Sequence, residues 1–233
     1  MDTVIRIRPE VSKLRYAAGA VSIAEIDLGG TPRGAALVLC DTGQLEAVAA
    51  DVLNGLAEHG YSAIAAEADP AGTAGPGPRA AALIDHLRAR GRPDQQIGVL
   101  GYGSGAATAL AIAAEVAVGA VVSLAAAALP PPPGAPILRA PWLGLFSRPG
   151  EHAPALRTWL AGQAVYSRVV TYPGTTGSPS RSTGRHGGHA AAFDSWQRSI
   201  EWLNLRVEPC PTPLARSWAV RHADRSPARR KGN

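Results

Sequence analysis

Short apolar segments alternate with helical patterns along most of this chain, and this alternation limits the possible folds more than any other feature. The first apolar run, AALVLC at residues 35–40, is typical of a strand buried on both faces. A helical pattern at 45–59, ended by Gly60, follows it, and a second apolar run occupies residues 61–68. Strand, helix and strand in this order predict two parallel strands joined by a helix.

The same alternation continues to residue 205. It predicts strands at 96–101, 120–125, 142–147 and 167–172, and helices at 79–90, 104–116, 155–161 and 190–205. A strand pair around Val4–Ile7 and Val21–Leu28 is expected to form an antiparallel edge. The sequence therefore predicts an α/β protein with a mostly parallel, twisted sheet and helices on both faces.

Positive charge is concentrated near the end of the chain. The segment after Leu214 contains six basic residues and one acidic residue, which alone account for the net charge of +5. We expect residues 1–207 to form a single domain and residues 208–233 to form a disordered basic tail rich in Pro and Arg. Because the charge is confined to this tail, nucleic acid is not an expected partner.

The chain also carries signals about its compartment. It has no apolar run of the roughly 18 residues that a membrane-spanning helix needs, and its start, MDTVIRIRPE, lacks the apolar core of a signal peptide. Cys40 ends a predicted buried strand and Cys210 lies in a Pro-rich segment, so we expect thiols rather than a disulfide. These features predict a cytoplasmic protein that does not enter a membrane.

The segment GVLGYGSGAA at residues 98–107 combines an apolar strand, a Gly-rich turn and an Ala-rich helix, the layout in which hydrolases hold a nucleophile. A turn this sharp needs small residues two positions before and after its apex. Gly103 meets this condition, whereas Ser104 has Tyr102 two positions before it. We therefore predict Gly103 at the apex and Ser104 at the start of the helix, where its hydroxyl could cap and its N–H could bind an anion.

A second interpretation of this segment stays open. Residues Gly101–Ala106 also match the dinucleotide-binding pattern G-x-G-x-x-G/A between a strand and a helix. That fold expects an acidic residue about 20 residues further on, near the end of the next strand. The stretch 120–128 has none, and Ser123 is its one polar residue.

Several segments, in this order, resemble the dienelactone hydrolase family of α/β-hydrolases over about residues 34–207. They are AALVLCDTGQLEAVAADVLNGLAEHGYSAIAAEA, IGVLGYGSGAA, APWLGLFSRPGEHAP, VVTYPGTTG and AAAFDSWQRSIEWL. The resemblance implies the α/β-hydrolase fold. It also implies an acidic residue after the first core strand, matched by Asp41, and an oxyanion hole built from the backbone at Thr42 and Ser104.

The resemblance further implies where a catalytic triad would stand. The family places a cysteine or serine at the elbow, an aspartate after the strand matched by WLGLFS, and a histidine after the strand matched by VVTYPG. In this chain these positions are Gly103, Gly150 and Gly177. Acyl transfer through a covalent intermediate needs a nucleophile, a base and a group that orients the base, so we do not expect it here.

Three hypotheses follow for the function. The first is an enlarged crevice above Gly103 that binds a small, largely apolar ligand, or that acts as a noncovalent catalyst such as a cyclase of secondary metabolism. The second is an ester or lactone hydrolase with a relocated site at Ser104 and His186, and the third is a protein-interaction pseudoenzyme. No cofactor is expected, and no metal, since the histidines lack metal-ligand spacing. The predicted pocket residues are Cys40, Asp41, Thr42, Tyr102, Gly103, Ser104, Arg148, His152, Thr175 and Thr176.

Overall fold

A computed structural model of the chain describes residues 6–69, 75–132, 134, 137–175, 177–179 and 186–223, without the side chains of 186–188 and 223. Its centre is an eight-stranded sheet in the order β1-β2-β4-β3-β5-β6-β7-β8. Strands β3 to β8 are parallel, and β1 and β2 add an antiparallel edge. The strands are β1 (Glu10–Tyr16), β2 (Gly19–Ile26), β3 (Gly34–Cys40), β4 (Tyr61–Glu67), β5 (Ile97–Tyr102), β6 (Ala120–Ala127), β7 (Trp142–Arg148) and β8 (Ser167–Thr171).

The antiparallel edge was expected, but the predicted strand at Val4–Ile7 was wrong in position. The first strand begins at Glu10, because a tight turn pairs Tyr16 with Gly19 and fixes the register back along the strand. Arg6 and Ile7 lie outside the sheet, and Val4 lies outside the described residues. The backbone N–H of Ile7 instead donates to Asn54 Oδ1 at 2.7 Å, and the Asn54 amide donates back to the Ile7 carbonyl at 2.9 Å.

Helices cover both faces of the sheet. They are α1 (Leu45–Val48), α2 (Asn54–Glu58), α3 (Gly77–Ala89), α4 (Gly105–Glu115), α5 (Ala153–Ala161), α6 (His186–Arg206) and α7 (Pro213–Ala223). A π-helical turn at Ala49–Leu53 joins α1 to α2. The helix predicted at 45–59 is therefore one continuous helical segment with a π-helical turn in its middle, and we call it the α1–α2 segment. Part of the tail expected to be disordered is helix α7, whose side chains are largely exposed.

Strand β3 shows why the sequence builds this sheet. Residues 35–40 are at most 1% exposed, and Gly34 is buried as well. Leu37 and Leu39 pack in the core cluster formed with α3, α4 and α5, whereas Val38 and Cys40 pack in the cluster formed with the α1–α2 segment and α6. A strand in the middle of a parallel sheet needs apolar residues on both faces, and the continuous apolar run supplies them.

The strand order places the functional end of the sheet. After β4 the chain crosses β3 and continues on its other side with β5. Such a reversal opens a crevice beyond the carboxyl ends of the two central strands, where α/β proteins bind their ligands. Asp41 directly follows β3 and Gly103 directly follows β5, so both lie at this point.

Candidate functional site

The turn after β5 has the backbone of a nucleophile elbow. Gly103 has φ +59°, a conformation in the left-handed region, and Ser104 has φ −64° and ψ −33° at the N-cap of α4. A Cβ added to Gly101 would overlap the Gly105 carbonyl, and one added to Gly105 would overlap the backbone of Leu39. The turn thus packs too closely for side chains at its flanks, and Gly103 occupies the apex position.

Ser104 does not cap the helix with its side chain, although its place at the helix start matches the expected register. The cap comes from Asp41, whose Oδ1 accepts a hydrogen bond of 2.6 Å from the Ser104 backbone N–H. A carboxylate at a helix N-terminus is stabilised by the unpaired N–H groups and by the helix dipole. The N–H group that we expected to be available for an anion is therefore bonded to the protein's own carboxylate.

Asp41 also fills the space at the apex. A Cβ added to Gly103 would overlap the Asp41 carboxylate, with both its oxygens and Cγ as nearest atoms. The carboxylate is thus bonded to the Ser104 N–H and occupies the space that a side chain at position 103 would need. Thr42, the other residue expected at an oxyanion hole, lies in an exposed turn beside it.

The other two glycines lie on the loops that follow β7 and β8. Gly150 follows β7 with φ +64°, and Gly177 follows β8 with φ +78°, both in the left-handed region. The hydroxyl of Ser147, at the end of β7, donates to the Gly177 carbonyl at 2.5 Å. The hydrogen bond therefore joins the end of strand β7 to the loop after β8, at the same end of the sheet as Gly103.

A small cavity lies at the elbow, lined by Cys40, Asp41, Gln44, Val48, Tyr102, Gly103 and Ser178; we call it the elbow cavity. Its volume is about 30 Å³. That is far below the range of about 300–1,000 Å³ that is usual for small-molecule sites. Among the described residues, this space differs from the enlarged crevice that the three glycines led us to expect, because the Asp41 carboxylate occupies part of it.

The predicted pocket residues fall into two groups. Cys40, Asp41, Tyr102 and Gly103 meet at the elbow cavity, and Ser104 is bonded to Asp41. Arg148 is exposed at the end of β7, His152 lies at the N-cap of α5 beside Glu151, and Thr175 bonds back to the Tyr172 carbonyl. These three do not line the elbow cavity. Thr176 lies outside the described residues.

The structure describes only part of the relocated site hypothesised at Ser104 and His186. Ser104 is exposed at the start of α4. The backbone of His186 begins α6, four residues before the predicted start of this helix, and its side chain is outside the described part of the chain. His189, one turn further along α6, is exposed.

Sequence reasoning missed three residues of the elbow cavity. Gln44 is the N-cap of α1, Val48 is the last residue of α1, and Ser178 follows Gly177. The position of Val48 on the buried face of a helical pattern was a usable signal for Val48. Nothing in the sequence distinguishes Gln44 or Ser178 from other polar residues of loops and helix starts.

A polar network beside the site was also missed. The Tyr172 hydroxyl donates to Asp194 Oδ2 at 2.7 Å, and Arg198 Nε donates to the same oxygen at 2.5 Å. The hydrogen bond from Arg198 lowers the pKa of Asp194. Burial, together with the hydrogen bond to Asp194, raises the pKa of Tyr172. This network ties the residue after β8 to helix α6.

Residues 47–206 match the model of the dienelactone hydrolase family. The chain belongs to the dienelactone hydrolase family. The match spans the elbow, Gly150 and Gly177, and the sheet agrees with the α/β-hydrolase fold of the solved relatives described next. The dienelactone hydrolase resemblance and the fold class predicted from the sequence are therefore confirmed.

Solved structures of dienelactone hydrolase-like proteins share this fold at low sequence identity. A protein from Klebsiella pneumoniae subsp. pneumoniae MGH 78578 named as a dienelactone hydrolase is 18% identical, with a TM-score of 0.66 over 84% of this chain and 98% of its own. A dienelactone hydrolase-like promiscuous phosphotriesterase from metagenomic libraries is 16% identical, with a TM-score of 0.65 over 86% and 99%.

An α/β serine hydrolase without a lid from Xanthomonas campestris is also similar. It is 17% identical, with a TM-score of 0.57 over 88% of this chain and 97% of its own. A comparison with curated proteins finds no match. At these identities the likeness establishes the fold of this dienelactone hydrolase family member and leaves its chemistry to its own residues.

The described part of the chain offers neither a metal site nor a membrane-spanning helix. Its His, Cys, Asp and Glu side chains form no group of three or more that could hold a metal ion. None of the helices in the same part of the chain has the length and apolar character needed to cross a bilayer.

Proposed function

We propose that this member of the dienelactone hydrolase family carries out no acyl transfer and binds a small, largely apolar molecule. The observation that supports this most is the position of Asp41. Its carboxylate lies where a side chain at the elbow apex would stand, and it accepts the N–H of Ser104.

The electrostatics of the elbow support the same proposal. Acyl transfer develops negative charge on the substrate oxygen, and hydrolases stabilise this charge with backbone N–H groups. Here the N–H of Ser104 is bonded to a carboxylate. An oxyanion at the same place would lose this donor and would meet a like charge at short range. In addition, the family's positions for the nucleophile, the orienting acid and the base are Gly103, Gly150 and Gly177, and glycine has no side chain that could fill these roles.

Binding without covalent chemistry still allows catalysis. A cavity can hold a flexible substrate in a folded conformation and so favour an intramolecular reaction, because it removes much of the entropy loss of ring closure. We include this form of catalysis, exemplified by a cyclase of secondary metabolism, in the proposal. Cys40 and Cys210 are not joined by a disulfide, which suits the reducing conditions of the cytoplasm, where we place the protein.

Two measurements on the purified protein test this proposal. p-Nitrophenyl butyrate turnover should equal that of buffer, and a fluorophosphonate probe should leave the protein mass unchanged. A small molecule from a cell extract should stay bound during gentle isolation and appear by native mass spectrometry.

The Ser104→Ala variant provides the control for a relocated site. Turnover by the wild-type protein that this variant abolishes would establish Ser104 as a nucleophile and refute the proposal. Turnover that survives in the variant would also refute it and would direct attention to another nucleophile.

A further inference from the structure

A second cavity lies beside the elbow cavity, between the α1–α2 segment and the start of α6. Its volume is about 460 Å³, within the range of about 300–1,000 Å³ that is usual for small-molecule sites. We call it the side cavity. Its apolar wall consists of Val52, Gly55, Tyr102, Leu124, Ala192 and Trp196. Tyr102 lines both cavities, so the side cavity adjoins the functional end of the sheet.

Tyr102 is a buried phenol with no hydrogen-bond partner among the described residues. It is 7% exposed, and burial raises its pKa, so the hydroxyl is a neutral donor at neutral pH. The Tyr102 oxygen is not among the unpaired polar atoms that are sealed from solvent, so water reaches it. A ligand acceptor that displaces this water would receive the hydrogen bond of the phenol. By contrast, the buried hydroxyl of Tyr61 bonds to both Asn204 and Arg33.

The walls of the side cavity are fixed by close packing. A Cβ added to Gly55 would lie 2.6 Å from Cζ2 of Trp196, so glycine at 55 lets the indole pack directly on the α1–α2 segment. The ring of His59 lies 6.4 Å from the same indole, centroid to centroid. The π-helical turn that carries Val52 also faces this space, and such turns are frequent at functional sites.

The charges around the side cavity favour a neutral ligand. Exposed charged residues line its outer part: Arg6 forms an ion pair with Asp51 at 2.8 Å, and Glu58 adds a further negative charge. These three side chains therefore give no excess positive charge to attract an anion. At the adjoining elbow, Asp41 already occupies the N-terminus of α4.

We propose that the side cavity binds a neutral, largely apolar molecule with a carbonyl oxygen, to which the Tyr102 hydroxyl donates a hydrogen bond. This inference rests on the proposed function, since it names the place and the chemical class of the ligand. The apolar wall holds the carbon skeleton, and the phenol orients the carbonyl.

A fluorescent ketone, 6-propionyl-2-(dimethylamino)naphthalene, tests the inference directly, because its emission moves to longer wavelength when the carbonyl accepts a hydrogen bond. Wild-type protein should bind it, with energy transfer from tryptophan. Tyr102→Phe should weaken binding about fivefold to tenfold, the loss of about one hydrogen bond, and move the bound emission to shorter wavelength. A weaker affinity without the emission shift would mean a packing role for Tyr102 and would refute the hydrogen bond.

A matched pair of bulky substitutions locates the site. Ala192→Trp places an indole in the side cavity and should abolish binding, whereas Ala190→Trp adds the same bulk at an exposed position of α6 and should leave it unchanged. If circular dichroism shows Ala192→Trp to be unfolded, Val52→Trp fills the opposite wall. Binding by a folded blocking variant with wild-type affinity would overturn the location of the site while leaving ligand binding by the protein intact.

Two competitors of the same ring shape test the chemical class. Neutral 2-acetonaphthone should displace the fluorescent ketone at least tenfold more effectively than anionic 2-naphthoate. Equal displacement by the anion, or no binding of the ketone to folded wild-type protein, would overturn the inference. Failure of the proposed function has a different signature, which is turnover of the ester or labelling by the fluorophosphonate.

Discussion

The two cavities that Tyr102 lines differ in volume and in the backbone that surrounds them. The elbow cavity has the strained backbone turn of a hydrolase, yet it holds only about 30 Å³, with the Asp41 carboxylate at its apex. The side cavity has no catalytic turn, yet it holds about 460 Å³ and is lined by the same tyrosine. The comparison indicates that backbone geometry and binding space are separate properties of this fold. A chain can keep the first for packing while the second lies elsewhere.

The largest effect that we predict concerns the backbone of the elbow. Gly101→Ala should lower the free energy of unfolding by about 3 kcal/mol or more, because the added methyl group would overlap the Gly105 carbonyl and lie 2.7 Å from the Ala109 Cβ. Gly29→Ala is a matched control, since nothing lies within 4 Å of its added Cβ, and it should change stability by less than about 0.5 kcal/mol. Urea denaturation measures both. Equal effects would mean that packing does not hold the elbow turn.

The next prediction concerns the coupling between Gly103 and Asp41. Gly103→Ala should lower the free energy of unfolding by about 2 kcal/mol. The causes are the left-handed φ of +59° and the overlap of the added methyl group with the Asp41 carboxylate. In an Asp41→Ala background the overlap disappears, so the same substitution should cost about 1 kcal/mol less. A double-mutant cycle by urea denaturation measures this difference.

Gly174→Ala serves as the control for the backbone contribution. Gly174 has φ +83° with nothing within 4 Å of its added Cβ, so this variant should show the cost of the left-handed conformation alone. Additive effects of Gly103→Ala and Asp41→Ala would contradict the idea that the carboxylate occupies the nucleophile's place.

The elbow could be predicted from the sequence because its determinants are local. Gly101, Gly103 and Gly105 lie within five consecutive residues, and steric overlap at a sharp turn admits one register. The strand and helix pattern likewise follows from apolar runs and periodicity. The misplaced first strand shows the limit of this reasoning, because a turn at residues 17–18, rather than apolar content, fixes its register.

The contacts that decide the site join distant parts of the chain. Asp41 and Ser104 are 63 residues apart, and the side cavity combines Tyr102 with Trp196 and a π-helical turn. The sequence marked Asp41 through a family position, yet a family position does not specify which N–H the carboxylate accepts. The side cavity had no motif at all, because Gly55 and Trp196 meet only after the helices pack.

A smaller effect separates the two buried tyrosines. Tyr102→Phe should change the free energy of unfolding by less than about 0.5 kcal/mol, because its hydroxyl has no partner among the described residues and is not sealed from solvent. Tyr61→Phe should lower it by about 1–2 kcal/mol, since it breaks the hydrogen bond to Asn204 Oδ1 at 3.1 Å and the one from Arg33 Nε at 3.3 Å. Thermal unfolding without ligand measures both, and a destabilised Tyr102→Phe would mean that the phenol has a partner in the free protein.

The smallest effect concerns helix α6, which forms one wall of the side cavity. Arg198 and Tyr172 lower the pKa of Asp194 below its usual 3.8, so the folded state binds this proton less readily than the unfolded state. The resulting stability is present at neutral pH and is lost as the pH falls below about 4 through the lower pKa of the folded state. The Asp194 side chain is 44% exposed and the Arg198 side chain is 36% exposed, so solvent weakens their interaction. Its contribution to the free energy of unfolding should therefore stay below about 1 kcal/mol. A double-mutant cycle with Asp194→Asn and Arg198→Gln should show coupling at pH 7 that disappears at acidic pH. If the coupling between positions 194 and 198 persists once Asp194 is protonated, packing rather than charge holds these side chains together. The wall that α6 forms in the side cavity would then be insensitive to acid.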